Sequence, residues 1–215
     1  NVSHELRTPL TTISGYAELL ETGLAKPEDT ATLGKKIHTE SLHLLSLVED
    51  ILRLSKLDEG MTKERKPVEL KMLAQACVAK LRDYAEKSEV TLSVEGQQAI
   101  VMGDRTLLEE MMINLIDNAI KYNKPRGSVG VQVGTEDGRP YISVQDTGLG
   151  IPPEHHHRVF ERFYRVDSSR SKETGGTGLG LSIVKNGAQL HGATVDLDSA
   201  PDKGTKITIS FPGKD

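Results

Sequence analysis

Leu6-Arg-Thr-Pro-Leu10-Thr-Thr-Ile13-Ser-Gly-Tyr-Ala17-Glu-Leu-Leu20-Glu-Thr-Gly-Leu24 places an apolar residue alternately four and three positions apart. That spacing is the seam of a coiled-coil-like helix. Pro27 and the polar stretch from Lys26 to Thr30 break it. A second helix is predicted beyond, with Ile37, Leu44, Val48 and Ile51 on one stripe. Leu45, Leu47 and Leu52 widen the stripe, and Gly60 supplies a stop. Two amphipathic helices cannot enclose a core alone. The simplest completion is an antiparallel hairpin that forms a four-helix bundle as a homodimer. The alternative is packing of the hairpin on the rest of the chain.

Residues 66–215 change character. Helical patterns at 70–87, 104–122 and 179–191 alternate with strand-like runs at 90–94, 99–103, 129–133, 141–145, 193–197 and 205–211. Glu136-Asp137-Gly138 signals a hairpin turn between two of them. The whole reads as α+β, a helical hairpin over 1–62 followed by a layered sheet-and-helix domain over 63–215. Between Gly148 and Gly180 runs a long segment rich in Gly, Ser, Thr and Arg, and a loop of that length is usually functional.

With 215 residues the chain can bury a sizeable core. A formal charge of -4 gives neither a basic footprint for nucleic acid nor an acidic tail. Cys77 is the single cysteine, which excludes an internal disulfide and a cysteine-only zinc site; its apolar neighbours Ala76 and Val78 predict a buried, inert thiol. No apolar run approaches the roughly 20 residues of a membrane helix, so no membrane contact is expected of this segment. The abrupt opening predicts a soluble piece cut from a longer protein.

Ser3-His4-Glu5-Leu6-Arg7-Thr8-Pro9-Leu10 carries the first chemistry. On a helix His4 lies far from the Leu6 face, and Thr8 shares its side one turn on. Pro9 removes a backbone donor and should kink the helix. An exposed imidazole is largely neutral at pH 7, and the adjacent Glu5 can take a proton from one ring nitrogen while the other attacks. Asn114 and Asn118 leave one helical face; their amide oxygens suit Mg²⁺ held mainly by phosphates. Asp146 ends a strand, and Gly148 and Gly150 after it would let the backbone approach a ligand. Gly175, Gly176, Gly178 and Gly180 precede a helix, an entry that offers free amides to phosphate oxygens, yet the spacing is neither the Rossmann nor the Walker pattern. His155-His156-His157 chelates poorly as consecutive residues and is expected to be solvated. Gly187 in mid-helix should cost about 1 kcal/mol relative to Ala.

In order along the chain these stretches resemble the motifs of the sensor histidine kinases of two-component systems. His4-Glu-Leu-Arg-Thr-Pro-Leu10 looks like the H-box and Asn114-Leu-Ile-Asp-Asn118-Ala-Ile-Lys121-Tyr122 like the N-box. Asp146-Thr-Gly148-Leu-Gly150 resembles the first glycine box, Phe160-Glu-Arg162-Phe163-Tyr164-Arg165 the F-box, and Gly175-Gly176-Thr-Gly178-Leu179-Gly180 the second glycine box. Lys203-Gly204-Thr205 stands where a short third motif is expected. The resemblance implies a dimerisation and phosphotransfer hairpin joined to an ATP-binding α/β sandwich of the Bergerat (GHKL) type. It implies that His4 accepts the γ-phosphoryl group of ATP and passes it to an aspartate in the receiver domain of a response regulator. Asn114 and Asn118 would serve Mg²⁺ and phosphate, Lys121 and Arg165 the phosphates, and Asp146 the adenine amine, with Thr205 at the same end. Tyr122 and Leu179 belong to the same nucleotide site, and Arg170 is a weaker cationic candidate than Arg165. Phe160, Phe163 and Tyr164 are expected to anchor a lid by packing. Glu5 to Thr8 matches the family's Glu/Asp-x-x-Thr/Asn pattern and implies a second activity, dephosphorylation of the regulator. The parent would be a bacterial plasma-membrane sensor with this part cytoplasmic. Two other classes remain as alternatives: a hydrolytic ATPase of the gyrase and heat-shock-90 kind, and a non-catalytic module that only dimerises.

Overall fold

The computed structural model describes residues 2–60, 64–166 and 176–213. Two long helices come first: α1 (Val2–Glu21) and α2 (Thr30–Asp58). A single 3₁₀ turn, Pro27–Asp29, joins them. Pro27 sits at the start of that turn, where its missing N–H costs nothing. α2 stops at Gly60, which takes a φ of +68° and sends its amide to the Leu57 carbonyl. α1 runs on through Pro9, whose ring is buried.

The expected stripe of the hairpin is divided. Leu6, Ile13 and Leu20 of α1 and Ile37, Leu44 and Ile51 of α2 are partly buried. Leu47 and Leu54 turn the other way, are fully enclosed, and pack on the second half of the chain. Leu10, Leu24, Leu45, Val48 and Leu52 stay exposed. The hairpin thus docks on its own chain, the second of the two alternatives, and also leaves apolar side chains outside.

The second half contains β1 (Lys66–Glu69), α3 (Leu70–Lys87), β2 (Thr91–Gly96), β3 (Ile100–Gly103), α4 (Arg105–Lys121), β4 (Ser128–Glu136) and β5 (Arg139–Asp146). After the Gly-rich segment come α5 (Gly180–Leu190), β6 (Thr194–Ala200) and β7 (Gly204–Ser210). A five-stranded sheet has the order β2-β4-β5-β7-β6, with β2 and β4 parallel and every other pair antiparallel. Helices α3, α4 and α5 cover one face, so the strands alternate: Val129, Val131 and Val133 are buried while Ser128 and Gln132 face out. The β4–β5 connection places Asp137 at φ 50° and Gly138 at φ 75°, the tight turn the sequence signalled. β1 was not evident from the pattern; four residues with Pro67 show no alternation, and the strand forms by pairing with β3 in a separate two-stranded sheet.

Side chains cap the two helices that carry most of the core. Glu69 accepts from the Lys71 and Met72 amides at the start of α3, and Asp104 from the Thr106 and Leu107 amides at the start of α4. His191, buried at the end of α5, donates from Nδ1 to the Gly187 carbonyl at 2.7 Å and accepts the Asp104 amide on Nε2 at 3.1 Å. It thereby ties α5 to the first turn of α4. Cys77 is enclosed between α3 and α4, where burial raises its thiol pKa to about 11.

Gly187 now has an account. A Cβ there would lie 2.6 Å from Met111 Sδ and 2.9 Å from Met111 Cγ. The glycine permits a close crossing of α5 over α4. The effect of Gly187→Ala should therefore reverse sign from the roughly 1 kcal/mol gain that helix propensity alone gives. Overpacking at this crossing should destabilise the chain by about 1–3 kcal/mol. Urea denaturation reads the change as a lowered midpoint, and a raised midpoint would contradict the crossing.

Candidate functional site

α4 builds one wall of a deep cleft. Its buried face, Leu108, Met111, Leu115 and Ile116 among others, fixes the helix rotation. Asn114, Asn118 and Lys121 then leave the flank at spacings of four and three and line a cavity of about 440 Å³. Asn114 Nδ2 donates to the Glu110 carbonyl at 3.0 Å, which leaves its oxygen turned outward. That oxygen would lie 2.7 Å from a Cβ on Gly180, and Asn118 Nδ2 3.6 Å from it. Glycine at the first turn of α5 therefore lets a helix N-terminus close on both amides. Lys121 is mostly buried, with Nζ 3.7 Å from Asp117 Oδ2.

The opposite end is organised by Asp146, buried at the end of β5. Its Oδ1 accepts from the Gly148 amide at 2.7 Å and the Thr205 amide at 3.2 Å. Burial pushes the carboxyl pKa upward, and these two donors pull it back. Thr205 lines the same end, with its hydroxyl 2.9 Å from Ser199 Oγ. The glycines act differently from expectation. A Cβ on Gly148 would lie 2.3 Å from the Tyr122 carbonyl oxygen, and one on Gly150, at φ +68°, 1.9 Å from the Ala200 carbonyl oxygen. Gly148 is not part of the cleft lining; it allows the turn to pack on the end of α4, while Gly150 both lines the cleft and packs on the β6–β7 turn.

The cleft closes over Tyr122, Arg165, Gly176 and Gly178. A Cβ on Gly176 would lie 3.9 Å from Lys121 Nζ. Gly178 accepts the Phe163 amide at 2.8 Å, and both residues take positive φ, 71° and 65°. Leu179 is fully buried against the hairpin and does not line the cleft. Phe163 packs as expected, but Tyr164 lines the cleft. Its Oη hydrogen-bonds His155 Nδ1 at 2.6 Å, and Arg158 stacks over its ring at 4.2 Å. His156 donates from Nε2 to the Ile151 carbonyl at 2.9 Å. His155 and His156 are thus partly enclosed and structural rather than solvated, while His157 is exposed as expected, and among the described residues no cluster of His, Cys, Asp and Glu could hold a metal. Gly175 and Arg170 lie outside the described residues.

His4 stands apart from this cleft. It is 77% exposed, with Nδ1 3.9 Å from Glu5 Oε1. Thr8 donates its hydroxyl to the His4 carbonyl at 3.2 Å. None of the three lines the cavity, whereas Ser46 and Asp50 of α2 do. Those two were not read from the sequence; they reach the cleft through docking of the hairpin, which periodicity cannot show. The docking joins Leu47 and Leu54 to Leu179 and Ile183. Arg53 pairs with Glu110 at 2.6 Å, and Asp58 takes Arg162 at 2.6 Å and Asn186 at 3.3 Å.

Residues 1–60 match the His Kinase A (phospho-acceptor) domain, and residues 103–215 match the histidine kinase-, DNA gyrase B-, and HSP90-like ATPase family. The chain belongs to the sensor histidine kinases, with a phospho-acceptor hairpin ahead of an ATPase-type domain. The sensor histidine kinase YkoH of Bacillus subtilis is 39% identical over 98% of this chain and 46% of its own length. The phosphate regulon sensor protein PhoR of Pseudomonas aeruginosa is 38% identical over 98% of this chain and 48% of its own length. The chain spans about half the length of the curated relatives it matches. The fold is shared with Acinetobacter baumannii histidine kinase AdeS at a TM-score of 0.81, with 24% identity and 99% and 98% of the two chains covered. Histidine kinase ThkA, solved in complex with the response regulator protein TrrA, is also 24% identical, at a TM-score of 0.78 over 99% of this chain and 60% of that one.

Asp146→Asn tests the end of the cleft that Asp146 organises. The amide keeps an oxygen for Gly148 and Thr205 but presents a donor where an exocyclic amine would donate. ATP affinity should fall about 10- to 150-fold, the equivalent of about 1.5–3 kcal/mol. Calorimetry giving wild-type affinity would remove Asp146 from the site.

Proposed function

We propose that this chain is the catalytic core of an ATP-dependent protein-histidine kinase that phosphorylates itself on His4 and passes the phosphoryl group to an aspartate of a response regulator. One observation carries the reading: Asn114, Asn118, Lys121, Arg165, Asp146 and Thr205 converge on a single cleft, in a chain that also exposes His4 beside a carboxylate. Asp146 and Thr205 hold the adenine, and Lys121, Arg165 and the amides from Gly176 to Gly180 hold the phosphates. The amide oxygens of Asn114 and Asn118 fit Mg²⁺ that keeps most of its ligands from phosphate and water. Bound there, Mg²⁺ would neutralise charge developing on the phosphates.

His4 uses the nitrogen turned away from Glu5. Nε2 attacks the γ-phosphorus, the bond to the ADP oxygen breaks, and the Nδ1 proton moves toward Glu5. Because His4 lies outside the cleft lining, the ATP-binding domain must leave its docked position, or serve the His4 of another chain, before transfer. The regulator as acceptor rests on the family and on the complex described for ThkA. A hydrolytic ATPase of the gyrase kind would have no use for the phospho-acceptor hairpin.

The exposed row of Leu10, Leu24, Leu45, Val48 and Leu52 supports a homodimer that completes a four-helix bundle. Sedimentation velocity should find a dimer at micromolar concentration, and a monomer would overturn that assembly. We read the parent as a membrane-bound sensor with this part on the cytoplasmic side; no helix among the described residues is long and apolar enough to cross a membrane.

His4→Gln should abolish acid-labile, base-stable labelling by γ-labelled ATP and leave ATP affinity unchanged. Undiminished labelling would sink the acceptor assignment. We assign dephosphorylation of the regulator to Thr8 holding the attacking water. Its hydroxyl hydrogen is engaged by the His4 carbonyl, so only its lone pairs face outward. Thr8→Ala should keep most autokinase activity and lose dephosphorylation; equal loss of both would reduce Thr8 to a backbone brace.

A further inference from the structure

The hairpin contributes a carboxylate to the nucleotide cleft. Asp50 of α2 lines the cavity together with Asn114, Lys121, Arg165 and Gly176. Its Oδ2 accepts the Thr177 hydroxyl at 2.7 Å. Thr177 Oγ1 in turn accepts the Leu179 amide at 3.3 Å, so Asp50 grips the segment that leads into the N-terminus of α5. Burial raises the Asp50 pKa; the Thr177 hydrogen bond and the charges of Arg53 and Lys121 oppose that rise. Asp50 therefore stands among the cations assigned to the phosphates, in a place where charge is poorly screened.

We propose that Asp50 opposes the triphosphate: its carboxylate and the nucleotide phosphates compete for one end of the cleft, so ATP binding and docking of the hairpin disfavour each other. This rests on the reading of the cleft as an ATP site. Asp50 sits at the centre of the docking contacts, between Leu47 and Leu54 on the same helix. A polyanion arriving beside Lys121 meets a like charge in a partly buried site, where repulsion exceeds its value in water. Thr177 loses Asp50 as a partner when the phosphates take its hydroxyl, and the attraction between Lys121 and Asp50 is then shared with them. Arg53 with Glu110 and Asp58 with Arg162 and Asn186 are polar docking contacts between protein groups, and none of Glu110, Asp58, Arg162 and Asn186 lines the cavity. Coupling of this kind is reciprocal: docking weakens ATP binding by the same factor by which ATP weakens docking.

Calorimetry on the whole chain, comparing wild type with Asp50→Asn and Asp50→Ala, tests this with ATP and with adenosine as probes. Asparagine keeps an acceptor for Thr177 and removes only the charge. ATP affinity should rise about 3- to 10-fold in both variants, adenosine affinity should not change, and the ATP gain should shrink as NaCl is raised. Unchanged ATP affinity overturns the proposal. So does a loss confined to ATP with Mg²⁺, which would make Asp50 a metal ligand, and so does an equal gain for adenosine, which would make the effect steric opening. Failure of the wild-type chain to bind either probe removes the reading of the cleft itself and this proposal with it.

Discussion

Three stretches of backbone meet at Asp146 with no side chain between them. A Cβ on Gly204 would lie 2.0 Å from the Asp146 carbonyl oxygen, and one on Gly150 1.9 Å from that of Ala200. The end of β5 is thereby pressed against the turn between β6 and β7, and the Asp146 carboxylate links the two through the Gly148 and Thr205 amides. Everything in the cleft is placed relative to this knot. The Tyr122 carbonyl accepts the Leu149 amide at 3.1 Å, which carries the knot to the end of α4 and so to Asn114, Asn118 and Lys121. The α4–α5 crossing at Gly187 then sets where α5 begins at the edge of the cleft. Close contacts of backbone on backbone tolerate little adjustment, because the atoms involved cannot rotate out of the way as side chains do.

The hairpin serves three surfaces with one set of apolar residues. Part of the seam holds α1 to α2, Leu47 and Leu54 dock the ATP-binding domain, and a third group stays outside. The docking surface combines the apolar cluster around Leu47 and Leu54 with ion pairs and hydrogen bonds, the mixed character of an interface between domains. That suits a domain whose cleft and the exposed His4 are on different parts of the molecule. Asp50 lies where the docking surface and the cleft overlap, which is why a single side chain belongs to both.

Elements with strong local signals were legible in the sequence. The α3 pattern over 70–87 matches the helix observed, because its buried positions repeat at helical spacing. The β4–β5 turn was legible because Asp137 and Gly138 favour positive φ. Partners were not: nothing in periodicity tells β2 to lie parallel to β4, or β1 to leave the main sheet. The same division holds at the site. Asn114 and Asn118 stand out because four residues return to one helical face, and the structure sets both in the cleft. Asp50 and Ser46 carry no motif and arrive only through tertiary docking. Gly148 was found for the wrong reason, since its constraint is a neighbouring carbonyl rather than a ligand. His155 looked solvated because its partner, Tyr164, is nine residues away across a loop whose path the sequence does not give.

Cys77 has one more consequence. Oxidants and electrophiles attack the thiolate, and this thiol is both sealed between α3 and α4 and raised to about 11, so almost none of it ionises at neutral pH. It is the only sulfhydryl in the 215 residues. This segment therefore offers no reactive thiol to its surroundings while it stays folded. Reactivity at Cys77 would report instead that α3 and α4 have come apart.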